Sequence, residues 1–565
     1  MLQTHVISAE EKVFYDTVPS TDLKSATVFS NEARYLNYTY RATEKCCIPI
    51  SVSVYCDAVP VSVYRIDFVN LSHTDSGFDE VATEGRAPGA FPDILLPRFC
   101  RENVIETNNA KLPFYEANEK NTLNATNDAT KALLIGINED EADIPVGTHE
   151  IKIVARSLES GDVLSENSVT LTVLEEKLPE VDFYYTNWVH YDSIADIHGV
   201  PVWSDKYFEI LASYLKCAVK YGMTLLLTPL FTPPLDTAVG GERMKTQLVK
   251  IEKRGDKYLF DFSLFERFVS VAKAAGFKNF EHSHLFTQWG AEHAPNIYIS
   301  ENGEEKLFFG WNTDIIADGY SEFLNQYIPA LKAKAKELDI KLFWHISDEP
   351  TPDIEKTYKL AAATVEKLLE GERSGDALSD LRFYSEGLVK TPIVSIDCVH
   401  KFFGRCENLW GYYTGGYYAN HTNEKCTNRL ITDKPYRTRI GALHFFKYRL
   451  EGFLHWGYNF YYDKMTTGLF DPKVTPSGYK NLPGASYIVY PYFDQCLPSL
   501  RAVYMKNSIT DLRALKLLES KIGYDGVISL AEDFFGGQIT AETMPKSAEE
   551  MLSFRELITE QVSKH

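Results

Sequence analysis

Two adjacent acids, Asp348 and Glu349, follow the apolar segment LFWHI at 342–346 and are followed by Pro350. The apolar run predicts a buried strand, and Pro350 ends it because proline has no backbone N–H to donate to a neighbouring strand. A single acid at such a place is commonly a helix cap or a loop carboxylate. Two acids behind an aromatic strand instead favour acid–base chemistry.

Cleavage of a glycosidic bond is one reaction that uses such acids. It needs a carboxylic acid that protonates the leaving oxygen, and usually a second carboxylate that acts as nucleophile about 5 Å away or as base further off. Adjacent acids are poorly placed to flank one bond from both sides. They suit a substrate whose own 2-acetamido oxygen is the nucleophile, with Glu349 as acid/base and Asp348 orienting the acetamide N–H. The like charge of its neighbour is expected to raise the pKa of the acid that protonates the leaving oxygen and to keep it protonated near neutral pH.

Three regions of different pattern surround this pair. Residues 1–178 contain short alternating segments separated by turns, such as ISVSVY at 50–55, and this pattern is typical of an antiparallel β-sandwich. Residues 181–482 alternate short apolar strands with helix-length segments, which indicates a parallel sheet. Residues 483–565 are predicted to add strands and helices that pack on this second domain.

The second region has the size of a TIM-type barrel. The predicted strands are 182–188, 223–229, 278–286, 340–347, 382–386, 393–398, 408–413 and 452–458. The predicted helices are 204–221, 262–275, 320–338, 353–371 and 436–450. A doubly wound sheet would show the same alternation, but neither G-x-G-x-x-G nor G-x-x-x-x-G-K-[ST] is present. We therefore predict an α/β fold with a (β/α)8 barrel, an N-terminal antiparallel β-sandwich and a small C-terminal appendage.

The ends of the other predicted strands carry aromatic and hydrogen-bonding side chains. In a barrel of this type the active site lies at the C-terminal ends of the strands. Aromatic rings stack on the C–H face of a sugar, and imidazoles, phenols and amides bind its hydroxyls. The predicted substrate-binding residues are Trp188, His190, His284, Trp289, Trp344, Tyr412, Tyr413, Trp456 and Asn459.

Four segments in the same order resemble the catalytic domain of glycoside hydrolase family 123. They are ISDEP at 346–350, NLWGYYT at 408–414, GFLHWGYN at 452–459 and PSLR at 498–501. The resemblance covers roughly residues 180–520, and a preceding β-sandwich is usual in that family. It implies a (β/α)8 barrel with β-N-acetylgalactosaminidase activity by substrate assistance, with Asp348 as oxazoline stabiliser and Glu349 as acid/base.

The resemblance also implies that a tyrosine on strand seven binds the acetamide carbonyl oxygen. Period-two alternation places Trp410 and Tyr412 on one face, which favours Tyr412 over Tyr413. The segment TGGY at 414–417 replaces the loop with cysteine or proline that is expected in many relatives. The leaving-group side of the pocket therefore does not follow from the resemblance.

Several alternatives remain open. Asp397 or Glu386, at the ends of predicted strands six and five, would act as covalent nucleophile in a conventional retaining glycosidase. A non-catalytic carbohydrate-binding barrel is another alternative. His282 and His284 are expected on one strand face, where they bind sugar hydroxyls or pack, and no third ligand with a recognisable spacing supports a metal site. Arg243 is interpreted as a solvated charge, and neither a metal nor a cofactor is predicted.

Composition limits the class of partner. The 565-residue chain is too long for one core and is 13% aromatic, with 34 Tyr and 33 Phe. Its net charge of -20 argues against a nucleic-acid partner, because a phosphate backbone would be repelled. The expected partner is a carbohydrate with a terminal N-acetylhexosamine, and the sequence does not indicate the oligomeric state.

The first residues and the cysteines bear on location. The N-terminus lacks a basic segment followed by an apolar stretch, so no secretory signal is recognised. No run approaches the roughly 18 apolar residues of a membrane span. Nine cysteines without C-x-x-C spacing favour reduced thiols. The sequence therefore predicts a soluble cytoplasmic protein.

Overall fold

The computed structural model describes residues 1–19, 22–44, 47–72, 84–99, 123–288, 290–315, 318–413, 426–476 and 482–565. The chain forms two compact units. Unit 1 comprises Met1–Val181, Glu424–Phe446 and Leu497–His565. Unit 2 comprises Asp182–Asn423 and Lys447–Cys496.

Two sheets form the N-terminal part of unit 1. Their strands are β1 Leu2–Ser8, β2 Ser25–Phe29, β3 Arg34–Ala42, β4 Cys47–Tyr55, β5 Val61–Leu71, β6 Gly89–Phe99, β7 Leu123–Thr126, β8 Lys131–Ile137, β9 Gly147–Ser157 and β10 Val163–Leu174. In the described residues the sheet orders are β1-β3-β8-β5-β6 and β2-β10-β9-β4-β7. Alternation sets the buried face, since Ile151, Ile153 and Ala155 of β9 are fully buried and Lys152 is exposed. The predicted N-terminal antiparallel sheets are confirmed, although β2 and β10 pair in parallel.

The rest of unit 1 is helical. Its helices are Pro435–Arg439, Gly441–Lys447, Leu500–Phe535 and Ala548–Lys564, and Gly523 interrupts the third with φ 76°. A buried ionic cluster connects them to the first residues of the chain, because Arg439 binds Glu10 and Asp511, and Arg555 binds Glu32 and Asp511. Residues 497–565 belong to the same compact unit as the N-terminal sheets, and the packing of residues 483–565 on the barrel stays a prediction. The predicted helix 436–450 is two short helices.

Unit 2 contains a nearly closed parallel barrel. The strands that follow β10 are β11 Tyr184–Asn187, β12 Leu225–Thr228, β13 Lys250–Arg254, β14 Lys257–Asp261, β15 Asn279–His282, β16 Ile297–Glu301, β17 Glu304–Phe309, β18 Lys341–Trp344, β19 Arg373–Leu378, β20 Thr391–Ser395, β21 Trp410–Tyr412, β22 Gly452–His455, β23 Val489–Tyr492 and β24 Gln495–Pro498. In the described residues the eight barrel strands have the order β11-β22-β21-β20-β19-β18-β15-β12. The N–H of Thr224 donates to the carbonyl of Tyr185 at 2.9 Å, which brings β12 beside β11.

Helices and a small sheet surround this barrel. The helices are Tyr191–His198, Asp205–Lys220, Ser263–Ala275, Asp318–Glu337, Glu355–Val365 and Arg382–Ser385. Ser204 caps the second, because its hydroxyl accepts from the N–H of Tyr207. Segments that follow β12 and β15 form the sheet β14-β13-β16-β17. No helix among the described residues is long and apolar enough to cross a membrane.

The fifth barrel strand differs from its predicted position. The sequence predicts it at 382–386, where the structure has the helix Arg382–Ser385, and the strand is β19, RSGDAL. Serine, glycine and aspartate give this segment the composition of a turn. Gly375 is required there, because a Cβ would lie 2.3 Å from the carbonyl oxygen of Thr391 on β20. The close approach of β19 and β20 therefore explains why β19 has the composition of a turn and is not recognised as a strand from the sequence.

Candidate active site

Asp348 and Glu349 lie in the loop that follows β18. The backbone of Glu349 is in the left-handed region, with φ 45°, and its N–H donates to the carbonyl of Ala377 at 3.0 Å. A non-glycine residue in this region is uncommon and is maintained by surrounding contacts. The two side chains make contacts on different sides of the barrel, with Gln288 after β15 and with Tyr412 of β21.

The carboxyl of Asp348 is buried. Gln288 Nε2 donates to its Oδ2 at 3.0 Å. Burial, followed by the negative charge of Glu349, raises the pKa of Asp348 well above its ordinary value. The pair therefore retains a proton at a pH at which an exposed aspartate has lost it. The sequence predicts the raised pKa for the acid/base, whereas the structure gives it to Asp348.

The carboxyl of Glu349 is half-buried and accepts a hydrogen bond from the hydroxyl of Tyr412 at 2.9 Å. Tyr412 and Trp410 belong to one buried cluster inside the barrel, as alternation predicts. Tyr413 packs on Phe453, with ring centroids 4.8 Å apart. The structure thus brings Tyr412, rather than its neighbour, to the acid pair.

A buried histidine between two acids lies beneath the pair. His345 Nε2 donates to Glu281 Oε2 at 2.9 Å, and its Nδ1 is 3.5 Å from Asp376 Oδ1. Burial by itself would lower the pKa of His345, but the hydrogen bonds and charges of Asp376 and Glu281 outweigh it and raise the pKa to about 9. His345 is therefore an imidazolium at neutral pH.

Asp376 connects this charge to the acid pair. Its carboxylate accepts the N–H groups of Ile346 and Ser347 at 3.0 and 3.2 Å and the hydroxyl of Tyr358 at 2.6 Å. The Ser347 hydroxyl in turn donates to the carbonyl of Thr287 at 2.6 Å. The two residues that precede Asp348 are consequently held through both backbone and side chain.

Asp376 and Gln288 are not among the site residues that the sequence predicts. Asp376 was hidden because strand five was placed elsewhere. Glu281 carried a signal, since it is an acid inside an apolar strand, where only a buried partner makes it tolerable. Thr186 donates to its Oε1 and Trp188 Nε1 donates to its Oε2 at 3.1 Å.

The raised pKa of His345 predicts a pH-dependent stability. The folded value of about 9 exceeds the ordinary 6.5, so this group stabilises the fold fully below pH 6.5 and the contribution is lost as pH rises through about 9. We expect the free energy of unfolding to fall by up to about 3 kcal/mol over this range, measured by urea denaturation. A flat profile would contradict the imidazolium.

His282 and His284 lie on different sides of the sheet, so the expectation that they share a face is wrong. The regular strand ends at His282, and alternation does not extend to His284. His282 stacks on Trp344 at 4.7 Å and shares a hydrogen bond with the Tyr327 hydroxyl at 2.9 Å. His284 instead stacks on His345 at 4.8 Å inside the barrel.

His284 is the stronger candidate for substrate contact. It is fully buried, and neither ring nitrogen has a hydrogen-bond partner among the described residues. Burial, followed by the charge of His345, keeps its pKa well below the ordinary value, so the ring is neutral. A neutral imidazole can donate one hydrogen bond and accept another.

The predicted tryptophans have different environments. Trp188 is inside the barrel, with its indole N–H on Glu281, so it is a core residue there. Trp344 stacks on His282, on the side of the strand opposite His345, so this contact does not support the predicted substrate role. Trp456 is half-exposed and is the best placed for sugar stacking. Trp289 lies outside the described residues.

His190 and Asn459 form a clamp between the chain segments after β11 and β22. The Asn459 amide accepts from the N–H of His190 and donates to its carbonyl, both at 2.9 Å. The His190 ring hydrogen-bonds to the Trp456 carbonyl through Nε2, and burial, followed by Arg243, lowers its pKa to about 3. The polar groups of His190 and Asn459, which the sequence predicts to bind substrate, are therefore engaged in contacts within the protein.

Arg243 is buried, so its interpretation as a solvated charge is wrong. Its guanidinium binds both carboxylate oxygens of Asp192 at 2.8 and 2.7 Å and donates to the Leu235 carbonyl at 2.7 Å. A fourth contact, at 3.2 Å, reaches His190 Nδ1. The partner that explains this burial lies 51 residues earlier in the chain.

Within the part of the chain that the structure describes, one group of side chains has ligand atoms close enough together for a metal ion. Ligand atoms of His284, His345 and Asp376 lie within 4.8 Å of one another. A metal ligand must offer a deprotonated imidazole nitrogen. His345 instead has one nitrogen on Glu281 and the other facing Asp376, with a raised pKa. These contacts fit an imidazolium paired with two carboxylates better than a metal site.

The two alternative nucleophiles differ in position. Glu386 follows the helix Arg382–Ser385, is exposed and binds Lys359 at 2.7 Å, so it does not end a barrel strand as predicted. Asp397 follows β20, is half-buried and accepts a hydrogen bond from the Ser395 hydroxyl. Of the two, only Asp397 lies at the end of a barrel strand, as the mechanism with a covalent carboxylate nucleophile requires.

Comparison with known proteins places this geometry in a family. Comparison with curated proteins gave no match. A family 123 glycoside hydrolase from Clostridium perfringens, whose structure was solved to study glycolipid glycan hydrolysis, has 13% sequence identity and a TM-score of 0.69, over 100% of this chain and 98% of that chain. A family 39 glycoside hydrolase from Bacteroides cellulosilyticus WH2 has 10% identity and a TM-score of 0.31, over 82% and 80% of the two chains.

The first likeness shows that the two chains share a fold. The second is too weak to show a shared fold. The model of the glycoside hydrolase 123 catalytic domain matches residues 188–518. This range is more than half of the 565 residues and contains the barrel strands β12 to β22 together with the acid pair. The chain belongs to glycoside hydrolase family 123.

Proposed function

We propose that the protein is a retaining exo-β-N-acetylgalactosaminidase whose nucleophile is the 2-acetamido group of the substrate. The observation that carries this proposal is the adjacency of Asp348 and Glu349. Their side chains accept hydrogen bonds from opposite sides of the barrel, from Gln288 and from Tyr412. Neighbouring acids can hold an acetamide and a leaving group on one sugar. They are poorly placed to flank a glycosidic bond from both faces.

In this mechanism Glu349 donates its proton to the glycosidic oxygen. The acetamide carbonyl oxygen attacks C1 as the C1–O bond breaks, and an oxazoline forms. With the proton of the pair on Glu349, the Asp348 carboxylate accepts the acetamide N–H and stabilises the positive charge that develops there. Water then attacks C1 and gives a proton to Glu349 as the C1–O bond of the oxazoline breaks, which restores the acetamide and the acid and gives net retention.

Tyr412 also binds the acetamide of the substrate in this mechanism. Its hydroxyl donates to Glu349 in the free protein, and with substrate bound it donates to the acetamide carbonyl oxygen. Trp456 provides the apolar platform and His284 a neutral imidazole for a hydroxyl. The family 123 relative was studied for glycolipid glycan hydrolysis, which supports a glycan as the class of substrate.

The second candidate is a conventional retaining glycosidase with Glu349 as acid/base and Asp397 as covalent nucleophile. The half-buried position of Asp397 after β20 favours it over Glu386. This enzyme would act on sugars without an acetamide. The adjacency of the acid pair is unexplained in that mechanism.

Inhibition separates the candidates. A thiazoline analogue of N-acetylgalactosamine should bind at least about tenfold more tightly than the sugar, because it resembles the oxazoline intermediate. We expect hydrolysis of 4-nitrophenyl N-acetyl-β-galactosaminide in a panel of chromogenic glycosides, measured by nitrophenolate release. Covalent labelling by a 2-fluoro glycoside without thiazoline inhibition would instead support Asp397. Sugar binding without hydrolysis of any glycoside in the panel would indicate a non-catalytic barrel.

A further inference from the structure

An open groove begins directly beside the acid pair. It has a volume of about 470 Å³ and is lined by Pro350, Thr351, Ser379, Asp380, Lys401 and Arg405, among others. This volume is within the roughly 300–1,000 Å³ of small-molecule sites. Pro350 follows Glu349 in the chain, and Ser379 follows β19 by one residue.

The groove is on the side of Glu349. Its lining comes from the segments after β18, β19 and β20, all at the C-terminal ends of parallel strands. On this side Glu349 accepts a hydrogen bond from Tyr412 of β21, whereas Asp348 accepts one from Gln288 after β15. If Asp348 holds the acetamide, the leaving group is protonated by Glu349 and extends into the groove.

The charges of the groove are positive. Lys401 and Arg405 are exposed, and neither has a carboxylate partner among the described residues. The Lys401 ammonium has a contact of 3.6 Å with the Cys398 sulfur. The single carboxylate among the lining residues, Asp380, is neutralised by Arg382 at 2.7 Å. Two uncompensated cations here contrast with a chain whose net charge is -20.

We infer that this groove is a leaving-group subsite for an anionic sugar, in which Lys401 and Arg405 bind a carboxylate or sulfate next to the N-acetylhexosamine. This inference rests on the proposed function, since it needs Glu349 as the acid. A guanidinium and an ammonium bind such anions by charge-assisted hydrogen bonds. The buried Phe402 ring and Pro350 provide an apolar floor for the sugar ring.

The test compares three disaccharides with N-acetylgalactosamine β-linked to glucose, glucuronic acid or glucose 6-sulfate. The wild-type protein should have a kcat/KM about tenfold higher for the uronate than for glucose, and higher salt should narrow the difference. The double variant Lys401→Gln/Arg405→Gln should lose this preference. The loss should be confined to the charged leaving groups, so the ratio of kcat/KM for the uronate to that for glucose should fall to about one.

A matched control is Lys367→Gln, because Lys367 is exposed and precedes β19 at the other end of the barrel. It should keep the uronate preference. Equal preference for uronate and sulfate supports recognition of charge, and preference for one identifies the anion. Turnover of the chromogenic glycoside with equal kcat/KM for uronate, sulfate and glucose would overturn the inference alone. Absence of turnover with every N-acetylhexosaminide would overturn the proposed function, and the inference with it.

Discussion

Glu349→Gln should lower kcat for an N-acetyl-β-galactosaminide with a sugar leaving group by about 10³-fold. Glutamine cannot give a proton to the leaving oxygen or take one from water, and general acid–base catalysis contributes roughly 10²–10⁴-fold. The loss should be smaller in the first step with 4-nitrophenolate, which needs little protonation. The fold should persist, because glutamine has nearly the same shape and its oxygen still accepts from Tyr412.

Glu386→Gln is the matched control for this experiment. The chemical change is the same, but Glu386 is exposed and bound to Lys359. Its kinetics should equal those of the wild type within about twofold, since exposed ion pairs contribute little. Equal rates for Glu349→Gln and wild type on the sugar substrate would remove Glu349 from the reaction. Comparable losses in both variants would instead point to a general effect of removing an acid.

Asp348→Asn tests the other half of the pair. Asparagine removes the charge that stabilises the developing oxazoline but leaves a group able to accept one hydrogen bond. The affinity for the thiazoline analogue should therefore fall, whereas Glu349→Gln should affect that affinity less. The two variants thus separate proton transfer from acetamide binding.

The sequence was sufficient to find the acid pair because its signal is local. An apolar strand, two acids and a proline are contiguous, so no distant partner is needed to interpret them. Seven of the predicted barrel strands contain or overlap a strand in the structure. Their run of buried apolar residues is the pattern that parallel strands require.

The parts that were mispredicted depend on distant residues. Arg243 has the sequence context of a surface loop, and only Asp192 makes its burial tolerable. Strand β19 lacks an apolar run because Gly375 lies against the backbone of β20. Once that strand was misplaced, Asp376 could not be recognised as a strand residue. A pairing of this kind is a property of the fold and has no signature within a short window.

Asp376→Asn should be the most destabilising single change near the site. An asparagine keeps one acceptor oxygen, but its NH2 group would face donors, either a backbone N–H of Ile346 or Ser347 or the Tyr358 hydroxyl. It would also leave His345 with Glu281 as its single carboxylate partner. Breaking a buried ion pair costs about 3–5 kcal/mol in the free energy of unfolding. Urea denaturation measures this loss, and Asp339→Asn, an exposed site with φ 50° where asparagine is tolerated, is the control.

Two further measurements distinguish a positioning role for Asp376 from a purely structural one. Because Asp376 orders the segment before Asp348, its loss should lower kcat for the chromogenic glycoside by about tenfold even where the variant is fully folded. The pKa of His345 should also fall, so the loss of stability with rising pH should begin at a lower pH than in the wild type. Tyr358→Phe, which removes one hydrogen bond to the Asp376 carboxylate, should cost about 1.5–3 kcal/mol. It leaves His345 with both carboxylate partners, so the pH at which stability is lost should shift less than in Asp376→Asn. A variant Asp376→Asn with wild-type stability and wild-type pH dependence would mean that His345 is neutral in the native protein, and that the left-handed turn at Glu349 positions the acids without help from the buried charges.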